Sequence, residues 1–181
     1  MRFACLCFAT ALFCLTSIGV AGDEIALPDD PKATVIVLDF TGGYGLPPKG
    51  PPIQDLVIHA DGSVEFDDRT GGPALKAEIE KKELQELLTF IVNEKKFFDI
   101  DAAELEAEKK KSGGLGLFVS DAATVTVEVT TADDKNAVKL YAPSMLARQY
   151  PKIEGYQNFD AVRLKLLKVY SRLRAEHKEK E

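Results

Sequence analysis

The chain has no tryptophan, two histidines and three cysteines, and Cys5, Cys7 and Cys14 all fall within its first fourteen residues. If that leading segment is removed, no disulfide framework, cysteine metal site or thiol nucleophile is left. His59 and His177 stand far apart, one in an expected strand and one near the end, so a histidine-based triad or a zinc site of the usual ligand types is not indicated. There is no block of positive charge either. The formal net charge is −6, and without Arg2 it becomes −7, from 22 basic against 29 acidic residues. A nucleic-acid partner, which would need a basic face, is therefore not expected.

What is present begins with Arg2, a mainly apolar run from Phe3 to Val20, and the small residues Gly19, Ala21 and Gly22. This order is that of a secretory signal cleaved near Ala21, which implies a secreted or periplasmic protein with no stable membrane insertion after cleavage. A retained anchor is the alternative, since about 18 apolar residues just suffice to span a bilayer. The remaining 160 residues suit one domain. Residues 22–32 read as a flexible leader, 33–175 as a single domain and 176–181 as a charged tail that frays.

Thr34 to Phe40, rich in β-branched residues, is predicted to be a central strand. Asp55 to Ala60 and Ser63 to Phe66 are strands joined by Asp61-Gly62, a strong hairpin signal. Ala74 to Ile79 reads as a further short strand. Leu84, Leu87, Leu88 and Ile91 then recur at helical offsets, and Phe97 and Phe98 leave that period, so the helix should end near Lys96 and drop both rings into the core. The stretch from Asp101 to Ala123 is a charged, glycine-containing insertion, read as a solvated helical turn or a disordered segment. Thr124 to Thr131 and Ala137 to Tyr141 form a second hairpin. Pro143 to Gly155 is a packed-down connection, and a long amphipathic helix follows with Asn158 as its candidate cap. The expected class is α+β: an antiparallel sheet built from two hairpins plus a first strand, with two helices packed on one face.

Several stretches invite chemistry and fit a plainer account better. Residues 59–68 imitate the end of a calcium loop, but Val57 and His59 stand where its first acidic ligands belong, so a hairpin turn is expected and no metal. His59 reads as a half-exposed strand residue. The pairs Asp67 with Asp68, Asp99 with Asp101 and Asp133 with Asp134 read as solvated turn residues rather than converging acids. Gly113-Gly114-Leu115-Gly116 lacks the spacing of a nucleotide-binding loop and is a linker. No catalytic residue and no cofactor is assigned, and the protein is read as a non-enzyme.

The stretch from Thr41 to Gln54 carries the functional expectation. It holds four of the 13 glycines and four of the nine prolines, yet displays Tyr44 and Leu46. Proline lowers the entropy lost on docking, so Gly42, Gly43, Tyr44 and Leu46 are the candidate binding residues. The competing account folds the loop back so that Tyr44 and Leu46 cover the sheet.

Two families of small bacterial proteins share elements of this pattern. Gly42-Gly43-Tyr44-Gly45, the hairpin Ile58 to Val64, the helix Glu83 to Ile91 and its ending Phe97 to Ile100 resemble an uncharacterised group of secreted or lipoprotein domains. Gly42, Gly43 and Tyr44 after the first strand, the helix ending at Phe97-Phe98, the hairpin Val125 to Tyr141 and the closing helix are similar to emfourin, an inhibitor of thermolysin-like metallopeptidases. Residues 47–52, 101–123 and 143–155 exceed that compact layout. The second resemblance implies a protein partner, an extracytoplasmic peptidase, engaged through loop 41–54. The alternative is an envelope-associated structural or interaction domain with no dedicated ligand site, meeting partners through a sheet edge. A carboxylate-based metal hydrolase is the third reading.

Overall fold

The computed structural model describes residues 24–43, 54–113 and 120–179. Six strands form one antiparallel sheet: β1 (Thr34–Gly42), β2 (Leu56–His59), β3 (Ser63–Phe66), β4 (Leu75–Glu78), β5 (Ala123–Thr130) and β6 (Lys135–Tyr141), in the order β4-β3-β2-β1-β5-β6. The α+β class and the antiparallel sheet are as expected from the sequence. The helices are α1 (Lys81–Thr89), α2 (Ala102–Lys111), α3 (Pro143–Gln149) and α4 (Glu154–Lys178), so the described residues hold four where two were expected. None of them is long and apolar enough to cross a membrane.

Register follows from side-chain alternation. Leu38 lies opposite Leu56 on one side and Val127 on the other, and Leu56 opposite Phe66, so these residues share one face. Between Thr34 and Ile36 the pairing with β2 shifts, and both Val35 and Ile36 enter the core. The same cluster takes Leu84, Leu87, Leu88 and Ile91 from the first helix and Phe159, Val162, Leu166 and Leu173 from α4. Thr124, Thr126 and Glu128 alternate with the buried valines of β5 and are only partly covered.

The Asp61-Gly62 turn forms as read. Asp61 accepts hydrogen bonds from the Ser63 amide (3.0 Å) and hydroxyl (2.6 Å), and pairs with Lys32 at 2.7 Å. Lys32 first, then Ser63, hold its carboxyl well below the usual aspartate range. Gly62 has φ of +84°, and its carbonyl accepts the Ile79 amide at 2.9 Å.

The helical period of the 81–96 stretch breaks for a visible reason. After Thr89 the chain winds into one π turn, Phe90–Glu94, closed by the Lys95 amide on the Phe90 carbonyl. That wider turn keeps Ile91 buried, and Lys96 then takes a left-handed conformation that ends the helix. Phe97 is fully buried, whereas Phe98 is only partly covered. Asn136 of β6 donates to the Phe97 and Ile100 carbonyls at 2.9 and 3.0 Å, fixing this corner to the sheet.

Five local readings need correction. The charged stretch after Ile100 is a regular helix, α2, capped by the Asp101 carboxylate and docked through the buried Leu105. The connection from Pro143 contains α3, whose Leu146 and Ala147 are buried. Asn158 does not cap α4. That helix starts four residues earlier, because Tyr156 is itself core and its hydroxyl reaches the Leu105 carbonyl at 3.3 Å. Glu176 to Lys178, expected to fray, continue α4. Of the leader expected over residues 22–32, the described part from Glu24 is tied to the domain through Ile25, Ala26 and Pro31. The apolar leading segment with its three cysteines lies outside the described residues.

Two substitutions test this packing by chemical denaturation. Leu88→Ala empties a fully buried site and is expected to cost about 2–5 kcal/mol; a loss under about 1 kcal/mol would mean the packing face is misassigned. Gly62→Ala places a Cβ 2.5 Å from the Ile79 carbonyl oxygen in a left-handed backbone, and is expected to cost at least about 1–3 kcal/mol.

Candidate functional site

Loop 41–54 leaves the sheet at Gly42 and returns at Asp55. Gly42 and Gly43 have φ of +76° and +88°, conformations that a side chain disfavours. A Cβ on Gly43 would also lie 3.3 Å from the Ala123 Cβ, so this glycine lets the departing chain pass close to β5. Of the four candidate residues, Gly42 and Gly43 therefore sit at the loop's root. Tyr44 and Leu46 lie outside the described residues.

The root is held by Asp55, one of the most buried polar side chains in the domain. Pairing between β1 and β2 stops at Leu38 and Leu56. Beyond that pair the Phe40 amide, instead of meeting a carbonyl across the ladder, donates to Asp55 Oδ2 at 2.8 Å. Asp55 Oδ1 accepts from Arg69 Nε at 3.0 Å and from Arg69 Nη2. The same guanidinium lies 5.7 Å from the centre of the Phe40 ring. One carboxylate thus joins the strand entering the loop, the residue leaving it and the turn after β3.

That turn is itself shaped by side chains. Asp67 accepts the Arg69 amide at 2.7 Å, and Asp68 accepts the Thr70 amide and hydroxyl at 2.8 and 2.7 Å. These bonds place Arg69 in a left-handed conformation, φ +64°, and hold the Asp68 carboxyl below its usual value. Helix α4 closes the back of the cluster. The Tyr170 hydroxyl donates to the Asp67 carbonyl at 2.6 Å, and Arg174 Nη2 to the Asp68 carbonyl at 2.7 Å, with the guanidinium 5.5 Å from the Tyr170 ring centre. The Tyr170 ring meets Phe66 edge-on at 6.5 Å. Burial raises the Tyr170 hydroxyl above its ordinary value.

Asp55, Arg69, Tyr170 and Arg174 were not singled out from the sequence. The Asp-Asp-Arg-Thr run at 67–70 is a local signal for paired side-chain turns, but the bond from Arg69 back to Asp55 joins residues 14 positions apart and has no local signature. Asp67 and Asp68, read as solvated, are spent on fixing backbone. His59 lies at the other end of β2, half-exposed as expected, with Nδ1 3.1 Å from the Lys32 carbonyl oxygen. A shallow cavity of about 330 Å³ between α1 and α4 is lined by Glu80, Glu83, Glu86 and Lys165. Its charges are partly taken up in ion pairs, Glu83 with Arg172 at 2.7 Å and Glu86 with Lys82 at 3.8 Å. Among the described residues no group of three or more His, Cys, Asp or Glu is placed to hold a metal. No family model, curated protein or solved structure matches this chain.

The electrostatics of Asp55 make the brace testable. Burial pushes its carboxyl above the ordinary value of 3.8, while Arg69 and the Phe40 amide pull it back. A carboxyl held above its unfolded value favours folding when protonated, and that contribution is lost as pH rises through the folded value. Arg69→Ala removes a partner of the anion and raises the carboxyl further. At pH 7 the variant is expected to lose about 1–3 kcal/mol, towards the lower end because the guanidinium is half-exposed. The loss is expected to shrink as pH falls towards 3.8, where Asp55 carries its proton. Thermal melts from pH 7 to pH 4 check this, and a deficit that grows in acid would refute it.

Proposed function

We propose that this chain is a non-enzymatic binding domain that presents loop 41–54 to a protein partner, with an extracytoplasmic peptidase as the most concrete partner class. The observation that carries this reading is the brace at the loop's root, where Asp55 ties Phe40 and Arg69 together. A loop whose two ends are fixed to a sheet loses less entropy on docking than one whose ends are free. Pro47, Pro48, Pro51 and Pro52 act in the same direction from within. Tyr44 and Leu46 supply the apolar anchors that such a contact needs.

The inhibitor version rests on the likeness of Gly42-Gly43-Tyr44 and the layout around it to emfourin. Partnering through a sheet edge, the alternative, is less favoured. The outer strands β4 and β6 carry Lys76, Lys135 and Lys139 with exposed side chains, the kind of charge that guards an edge against pairing. Secretion and the two-hairpin layout with helices gathered on one face belong to the same reading, since both agree with a small exported domain that leaves one loop free for contact.

The test is a titration of the purified chain, lacking residues 1–21, against a panel of thermolysin-like metallopeptidases at micromolar concentration. Inhibition is expected, and Tyr44→Ala combined with Leu46→Ala is expected to weaken it by at least about tenfold while the melting temperature stays near that of the parent. No inhibition of any member would remove the peptidase version. Equal inhibition by the double variant would remove the loop as its contact.

A further inference from the structure

At the far side of the first helix a short extended segment, residues 24–27, lies in a slot that reads its backbone. The Ile25 amide donates to Gln85 Oε1 at 2.9 Å, and Gln85 Nε2 donates to the Ile25 carbonyl at 3.0 Å. One side-chain amide thus satisfies both polar groups of one residue, as a neighbouring strand would. One residue on, the Ala132 amide donates to the Ala26 carbonyl at 2.9 Å. Ile25 and Leu27 pack against the hydrophobic core, and Glu24 pairs with Lys81 at 3.1 Å.

The slot is built independently of what fills it. Gln85 stands in α1, whose position is set by its buried leucines. Ala132 belongs to a turn braced by Thr131, whose amide donates to the Asp134 carbonyl at 2.8 Å and whose hydroxyl accepts the Asp134 amide at 3.0 Å. The segment is also separable from the strand that follows. The Asp61 amide binds the Pro31 carbonyl at 2.9 Å and the Ala60 amide binds the Ala33 carbonyl at 3.0 Å, so the chain is anchored again before β1 begins. Residues 24–27 are therefore held by contacts separate from those that anchor the start of β1.

We propose that Gln85, Lys81 and the Ala132 amide form a peptide-binding site for an extended segment of a protein partner, with the pattern acidic, aliphatic, any residue, aliphatic. Residues 24–27, Glu-Ile-Ala-Leu, occupy it in cis as a displaceable ligand. Backbone reading by Gln85 supplies affinity without sequence choice, and the two apolar contacts and Lys81 supply the choice. A tethered segment acts at an effective concentration of about millimolar, so an incoming segment competes only if it binds more tightly or arrives multivalently.

The probe is a fluorescein-labelled peptide, Glu-Ile-Ala-Leu-Pro, read by anisotropy against the full chain. The unaltered chain is expected to bind it weakly. Ile25→Pro with Leu27→Asp, which removes the amide donor and the apolar contact of the resident segment, is expected to bind it at least about tenfold more tightly, and Gln85→Ala in that background is expected to abolish the gain. A scrambled peptide controls for composition. No saturable binding to the released variant, with its far-UV dichroism unchanged, overturns the proposal, as does binding indifferent to Gln85→Ala. A second measurement needs no substitution: amide hydrogen exchange in the unaltered chain. The Ile25 and Ala132 amides are expected to exchange together and faster than Val127 in β5. If they exchange only at the rate of that strand, the segment does not open and the site is not available in trans.

Discussion

The pairing of β1 with β5 is the contact on which the rest of the structure depends. It joins residues 34–42 to residues 123–130 in the middle of the sheet, with a continuous register from Ile36 opposite Val129 to Gly42 opposite Ala123. The other pairings join segments closer in the chain: β1 with β2 across loop 41–54, β2 with β3, β3 with β4, and β5 with β6. Each of these leaves an apolar face that a two-stranded ribbon cannot bury alone. Only when β5 closes onto β1 do Val125, Val127 and Val129 come alongside Leu38 and Leu56 to make one face wide enough for the helices. Closing so long a loop costs chain entropy that no local contact offsets, so this step is expected to come late and to be cooperative with helix docking.

How well the sequence could be read follows from the range of the contacts. Thr34 to Phe40, the Asp61-Gly62 turn and the Leu84, Leu87, Leu88, Ile91 stripe were legible, because alternation, turn chemistry and helical period are each written within a few residues. Asn158 shows the limit of that reading. It is a good cap by type, yet the helix begins at Glu154, where Gly155 and Tyr156 meet Leu105 from another helix; a Cβ on Gly155 would fall 2.5 Å from a Leu105 methyl. A glycine that looked like the end of a loop is a close helix crossing. Leu105 was hidden for the matching reason, as a single apolar residue in a charged run carries no period, and only its partner reveals that α2 is docked. The π turn after Thr89 is likewise invisible to a 3.6-residue template.

The root of the 41–54 loop was legible in one half. Gly42 and Gly43 stood out in the sequence as part of a glycine-containing loop, and the structure gives both residues positive φ. The other half, Asp55 with Arg69, looked like an ordinary strand start and an ordinary turn arginine. Nothing nearby told that the carboxylate would be buried, because its burial is created by β1, by the turn after β3 and by Tyr170 from α4, elements far apart in the chain. A buried carboxylate between a backbone amide and a guanidinium contributes little net stability, since desolvation opposes most of the attraction. Its value here is geometric, because leaving any one partner unpaired is costly and so the three segments keep one arrangement.

The loop root and the 24–27 segment use the same physical device. In each, backbone groups lie beyond the end of regular ladder pairing, and a side chain supplies the missing partner: the Asp55 carboxylate for the Phe40 amide, the Gln85 amide for both polar groups of Ile25. A buried backbone group must be satisfied, but a ladder propagates order along the whole strand, whereas a single side chain satisfies one residue and stops. The two devices differ in what surrounds them. Asp55 is tied to Arg69 and backed by the turn that Tyr170 and Arg174 hold, so opening it exposes a buried charge. Gln85 is neutral and half-covered, and letting go of Ile25 leaves an amide that water can serve. The same device thus closes around a buried charge at the loop root and around a neutral amide at residues 24–27.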